Sequence, residues 1–261
     1  MHNLRKSEHI EIFKMIGIII RKELRALFCS PLAWLLLAVM QLAIAWFFLL
    51  QLDAFLELQP QLRQLSNPPG VTETIVAPIF AITLIILLIM TPILSMRLLA
   101  EERRNHTLTL LMTAPISITD IVVGKFAGLM IFYTGIIALL AALSFSLLLG
   151  GVLDYGLIGS NVLGLFLVVA CFCALGLYIS SLTAQPVLAA IGCLGAFLGL
   201  WMVDWIGGEH GDWVYYFSLL KQFRQFNQGL VDSFSIAYCI LFVATFLLLT
   251  IRRLDGERLY G

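Results

Sequence analysis

Side chains that chemistry needs are scarce in this chain, and scattered where they occur. Glu209, His210 and Asp212, with Asp204 just before them, form the densest group of metal-ligating types. No second group stands at ligand spacing from them, so they read as a solvated acidic loop and no metal site is assigned. His106 has no partner at a telling distance, and no Ser/His/Asp or Cys/His arrangement emerges, so no catalytic residue is assigned either. The five cysteines (Cys29, Cys171, Cys173, Cys193, Cys239) fall in or beside apolar runs without CxxC spacing. They read as small buried hydrophobes, neither disulfide nor metal framework. No GxxxxGK[ST] loop is present to cradle a phosphate.

One stretch does concentrate charge. Glu101 to Lys125, EERRNHTLTLLMTAPISITDIVVGK, lies between two long apolar runs, Thr74–Met96 and Ile121–Leu149. Within it Thr107 is placed to cap a short helix, to which Leu108, Leu110, Leu111 and Met112 give apolar residues and which Ala114-Pro115 ends. Ser117 to Asp120 restarts a helix with the spacing of a capping box. The expectation is a short helix across the ends of two spans, with Leu and Met to bury and no lipid to bury them in. Such a helix is a handle for a soluble motor; the competing reading is an amphipathic connector resting on the bilayer.

The elements that position this segment are membrane spans. The 261 residues are 61% hydrophobic and 12% charged, with a mean hydropathy of +0.98. A soluble domain carries about twice that charge fraction, so the chain reads as an all-α polytopic membrane protein. No basic stripe with interleaved aromatics points to nucleic acid. Residues 1–30 form a cationic arm in which IEIFKMIGIIIRKELRALF has helical apolar spacing, an amphipathic helix in the headgroup plane or, alternatively, one packed on a partner. Ser30-Pro31 breaks it into an elbow. Six spans are expected over 32–50, 74–96, 121–149, 157–180, 187–203 and 234–251. The segment 97–120 lies on one side, and 207–232, rich in Trp, Tyr and Phe, gives short interfacial helices on the other. Asp53, Glu57 and Arg63 fall in the first outer loop, where a short helix fits before Asn67. Pro78 and Pro92 are expected to kink or loosen the second span. Gly124/Gly128 and Gly195/Gly199 are small-xxx-small pairs that let backbones approach.

Thirteen of the sixteen Lys and Arg fall in the arm, the central segment and the tail after Ile251, leaving Arg63, Lys221 and Arg224 on the other side. That asymmetry places both termini and the central segment in the cytoplasm. The spans hold almost no ionisable side chains, whereas ion-coupled carriers need them as relays. Neither ion coupling nor ATP hydrolysis has visible parts, so the energy for active transport would have to arrive through a partner.

The central segment resembles the intracellular coupling segment of ABC-2 type membrane subunits, through Glu101, Glu102, Arg103, Thr107, Leu108, Leu110, Leu111, Pro115, Gly124 and Lys125. RKELRALFCSPLAW resembles the elbow helix and entry to the first span of that family, and FRQFNQGLVDSFSIAYCILFVATFLLLTIRRL is similar to the gliding-motility-type branch. His106 stands where the family commonly has glycine, and Thr109 where an acid is common. The resemblance implies the six-span fold of ABC-2 (type V) exporters with elbow and coupling helices, and a subunit that pairs with a second copy of itself or a related permease. It implies a separate ABC ATPase that carries ATP and magnesium, this chain binding no cofactor. It also implies that Glu101, Glu102, Arg103, Arg104, Thr107, Leu108, Leu111 and Pro115 couple to that ATPase, with Arg21, Lys22, Glu23 and Arg25 on the elbow.

The expected function is that of a non-enzymatic permease subunit driving outward transport across a bacterial inner membrane. The alternative is a membrane anchor that passes ATPase motion to a cell-envelope process such as gliding. An intramembrane enzyme lacks a catalytic set.

Overall fold

The computed structural model describes residues 2–62, 70–108, 117–149, 153–207 and 218–260; side chains at 2–14, 62, 149, 203–207, 259 and 260 are left undescribed. Every long element among them is a helix: α1 His2–Phe28, α2 Pro31–Leu62, α3 Thr72–Arg104, α4 Ile118–Phe145, α5 Tyr155–Leu182, α6 Pro186–Gly207, α7 Leu219–Asn227 and α8 Ser233–Tyr260. Among the described residues, α2, α3, α4, α5 and α8 are each long and apolar enough to cross a membrane, and α6 adds a shorter apolar stretch at Pro186–Met202. The chain is an all-α polytopic membrane protein.

Three helices outrun their apolar cores. α2 continues through Asp53 and Glu57 to Leu62, so the short helix expected before Asn67 is the same helix prolonged. α3 continues past Met96 to Arg104, and α8 past Ile251 to Tyr260. At the ends of α3 and α8 the charges read as loop and tail find partners in space.

α5 is the axis. It packs against α3, α4, α6, α7 and α8, and Leu165, Val168, Val169 and Cys173 are fully enclosed. α2 and α8 lie at the periphery with Leu35, Leu42, Trp46, Leu241 and Leu248 exposed, as side chains facing lipid should be. α7, from the segment expected to give short interfacial helices, packs against α5, α6 and α3. Ser218 caps it by accepting from the Lys221 N–H at 3.2 Å, and Phe226 packs directly on Gly164 of α5. Four of the cysteines are buried as expected, but Cys29, at the end of α1, is exposed.

α3 carries a π-helical turn at each end, Thr72–Val76 and Arg97–Glu101. A π turn frees backbone groups from the usual ladder. At the second one Ser180 of α5 takes them up. Its hydroxyl accepts from Leu99 N and Ala100 N at 3.2 and 3.0 Å and donates to the Met96 carbonyl at 3.1 Å. The disturbance expected from the prolines is thus displaced to the helix ends, and α5 holds the lower one in place.

α1 lies along α4. A Cβ on Gly124 would meet Ile19 at 2.7 Å, and one on Gly128 would meet Glu23 at 2.9 Å; Phe28 touches Phe132 with ring centroids 5.7 Å apart. The offset between partners stays nearly constant, so α1 and α4 run side by side in the same chain direction over about two and a half turns. Over this stretch α1 is packed along α4. Around Gly195 and Gly199, by contrast, there is open space, and a Cβ at either would meet nothing within 4 Å. Gly124→Leu and Gly128→Leu should each destabilise the protein by about 1–3 kcal/mol through overpacking. Gly199→Ala should stay within about 0.5 kcal/mol of wild type or gain slightly from helix propensity. Thermal unfolding in detergent of the three variants checks both.

Candidate functional site: a buried ion cluster at the base of the bundle

The base of the bundle is where α1, the end of α3, the start of α4 and the end of α8 meet. Lys125, on the first turns of α4, has a side chain only 1% exposed. An isolated ammonium in that position is prohibitively costly, so partners must be present. Its Nζ donates to Glu23 Oε1 of α1 at 2.7 Å and forms an ion pair with Glu102 Oε2 of α3 at 2.9 Å. Glu102 Oε1 in turn accepts from Lys22 of α1 at 2.8 Å. Two lysines and two glutamates thus form a neutral cluster across three helices.

Gly124 and Gly128 make this geometry possible, because only without side chains there can the α1 backbone come close enough for Glu23 to reach Lys125. The π turn with Ser180 sets the phase at which Glu102 leaves α3.

A second ring surrounds the cluster. Arg97 donates to Glu101 Oε2 at 2.8 Å and to Ser30 Oγ, at the break between α1 and α2, at 2.7 Å. Arg103 forks onto both carboxylate oxygens of Glu257 in α8 at 2.9 and 2.7 Å, and Arg253 joins Glu257 at 3.4 Å. The base of every one of these helices is tied to residues 97–103.

Burial alone would push the Glu102 carboxyl up, but Lys125 and Lys22 beside it outweigh that and hold it below the ordinary carboxylate value. For Lys22 burial works downward, and the hydrogen bond and charge of Glu102 prevail to hold the ammonium above its usual value.

The residues expected to couple thus divide. Glu101, Glu102 and Arg103 are engaged inside the protein, as are Lys22 and Glu23. Arg21, Arg25 and Arg104 are exposed. Arg104 and His106 line a cleft of about 570 Å3 with Gln185 of the α5–α6 connection and Pro186 and Val187 at the start of α6. Thr107 is helical and its hydroxyl donates back to the Glu102 carbonyl at 3.2 Å, while the residues it is expected to cap lie outside the described residues. Leu108 is buried. Leu111 and Pro115 lie outside the described residues, as do Glu209, His210 and Asp212. Ser117 does begin α4, in extended backbone, but its side chain makes no capping bond, so the capping box is not formed.

His106 has φ +57°, the left-handed region that favours glycine. Histidine thus adopts a glycine-like conformation at the position where the resemblance has glycine. The i,i+4 spacing of Arg97 with Glu101 and of Arg253 with Glu257 is visible in the sequence, but the sequence carries no signal for the distant contacts of Arg97 with Ser30, Glu257 with Arg103 and Ser180 with α3; Lys125 stands in the central segment, but nothing in its neighbours marks it as buried.

A family model described as ABC-2 family transporter protein matches residues 18–230, from α1 through the end of α7. The chain belongs to the ABC-2 transporter family. No curated protein matches it closely enough to be compared. The chain is accordingly the membrane-spanning permease subunit of an ABC transporter, and the matched stretch contains the whole Lys22–Glu23–Glu102–Lys125 cluster.

Replacing Lys125 by Met leaves two carboxylates facing each other in a buried site and should cost about 3–5 kcal/mol. Lys22→Met, on a side chain 55% exposed, should cost under about 1 kcal/mol. Because the folded-state pKa of Glu102 is lowered, its contribution is present above the unfolded carboxylate pKa and is lost as pH falls through the lowered value. Melting curves of the permease on acidification should therefore fall more steeply for wild type than for Glu102→Gln.

Proposed function

We propose that this permease subunit is the membrane half of an exporter powered by a separate ABC ATPase, which docks on the base around residues 101–120 and α1. The observation that carries this reading is the helical extension of α3 to Arg104, bolted by ion pairs to α1, α4 and α8. A force applied to that extension reaches four helices without passing through lipid. The chain shows no phosphate-cradling loop of its own, so ATP and magnesium belong on the partner.

The distribution of Lys and Arg favours a cytoplasmic base, with both termini on that side of a bacterial inner membrane. Arg104 and His106, exposed beside the α5–α6 connection, give the partner polar groups to meet, and the leucines of the central segment give it apolar ones. A second copy of this chain, or a related permease, supplies the other half of the path, and lipid-facing α2 and α8 leave ample apolar surface for such a contact.

Co-purification with the ATPase tests the docking. The wild-type permease should bring down an ABC ATPase, and Leu111→Asp should release it while the melting temperature of the permease stays unchanged. An intact complex after that substitution contradicts the reading. In liposomes holding both subunits, hydrolysis should accompany movement of cargo outward; hydrolysis that moves none of a panel of lipids, hydrophobic peptides and polymers would favour a force-transmitting anchor.

A further inference from the structure

We propose that Lys125 is a positioning residue that clamps the lower end of α3 to α1 and α4, so that the three travel as one rigid body during the power stroke. The inference rests on the docking reading above, but the clamp itself is a property of this chain.

Three observations converge on it. First, among the described residues Lys125 is the single group that touches carboxylates from two different helices, Glu23 of α1 and Glu102 of α3, while standing on a third. Second, the other link between α1 and Glu102, through Lys22, sits on a side chain 55% exposed, where an ion pair is screened by water and holds little. Third, α1 and α4 are already fixed to each other by the Gly124 and Gly128 contacts. The lower end of α3 is the one part of the three whose attachment to α1 depends chiefly on charge. Enclosure gives this ion cluster its stiffness, because a displaced glutamate would leave Lys125 unpaired where water does not reach.

The lower end of α3 is also the part that leads directly into the central segment. Without the clamp, motion of that segment would turn only the end of α3 beyond the π turn, Arg97–Glu101, which Ser180 holds to α5, and be lost there. With it, the same motion carries α1 and α4 along.

Distances between spin labels test this in the permease bound to its ATPase. Cys29 is exposed and native, the other four cysteines are buried, and Asn105 and Thr119 are exposed positions at the end of α3 and the start of α4. One sample carries labels at Cys29 and Asn105→Cys, a second at Cys29 and Thr119→Cys. In the wild-type background both distances should be narrow and should not shift when a non-hydrolysable ATP analogue is added. In Lys125→Met the Cys29–Asn105 distance should broaden and then shift with nucleotide, while Cys29–Thr119, held by the glycine contact, stays narrow. Lys125→Arg should restore the wild-type pattern, which loss of folding could not do. Where Lys125→Met does not fold, Glu102→Gln, which leaves Lys125 paired with Glu23, should give the same selective broadening.

A Cys29–Asn105 distance that shifts with nucleotide in wild type overturns the proposal, as does one that stays narrow and fixed in both Lys125→Met and Glu102→Gln. Failure of the ATPase to co-purify overturns the docking reading alone, because the narrow or broad distribution without nucleotide still reports the clamp.

Discussion

A buried ammonium is the constraint on which the base of this protein depends. Lys125 is enclosed among helices, where a charge is tolerated only with its counter-charges in contact. Glu23 must therefore come from α1 and Glu102 from α3, and each requirement reaches further back into the sequence. Glu23 reaches Lys125 only because positions 124 and 128 are glycine. Glu102 points inward because a π turn rotates the end of α3, and that turn persists because Ser180 satisfies its backbone. Glycine pair, π turn, serine and ion cluster are one structure.

The division of labour along the membrane normal follows from the same economy of charge. Through the apolar layer the helices pack by shape, with α5 as axis and small residues where backbones or rings come close, as at Gly164 against Phe226 and Gly176 against Ser95. Polar groups there bond within their helix or to the next one: Thr83 and Thr91 donate to carbonyls one turn back, and Tyr133 of α4 donates to Thr91 of α3 at 3.1 Å. Among the described residues the directed charge–charge contacts lie at the base, where α3 and α8 extend beyond their apolar stretches and Arg103 reaches Glu257. The stiffness this gives the base suits the docking proposed for that end.

Apolar runs of span length are legible because the bilayer demands them, and the helices appear where those runs lie. The break at Ser30-Pro31 and the start of α4 after Ser117 are legible from local chemistry. Which charges are spent internally is not. Glu102 and Arg103 look alike as members of an exposed charged stretch, yet one is drawn to Lys125 and Lys22 and the other to Glu257, across separations that only the fold defines. Charged residues after Met96 and after Ile251 read as loop and tail for the same reason. His106 is intermediate: its place where glycine is common marks the turn as unusual, and the backbone there is left-handed.

The central claim is that Lys125, Glu23 and Glu102 act as one electrostatic unit that holds the base together. A double-mutant cycle on Lys125→Met and Glu102→Gln, read by unfolding of the purified permease, addresses it most directly. If the unit exists, removing Glu102's charge in the Lys125→Met background relieves the carboxylate repulsion, and the double variant is more stable than the sum of the single losses predicts by about 1–3 kcal/mol. Strictly additive losses would mean that the two side chains are neighbours without being partners, and would contradict the claim.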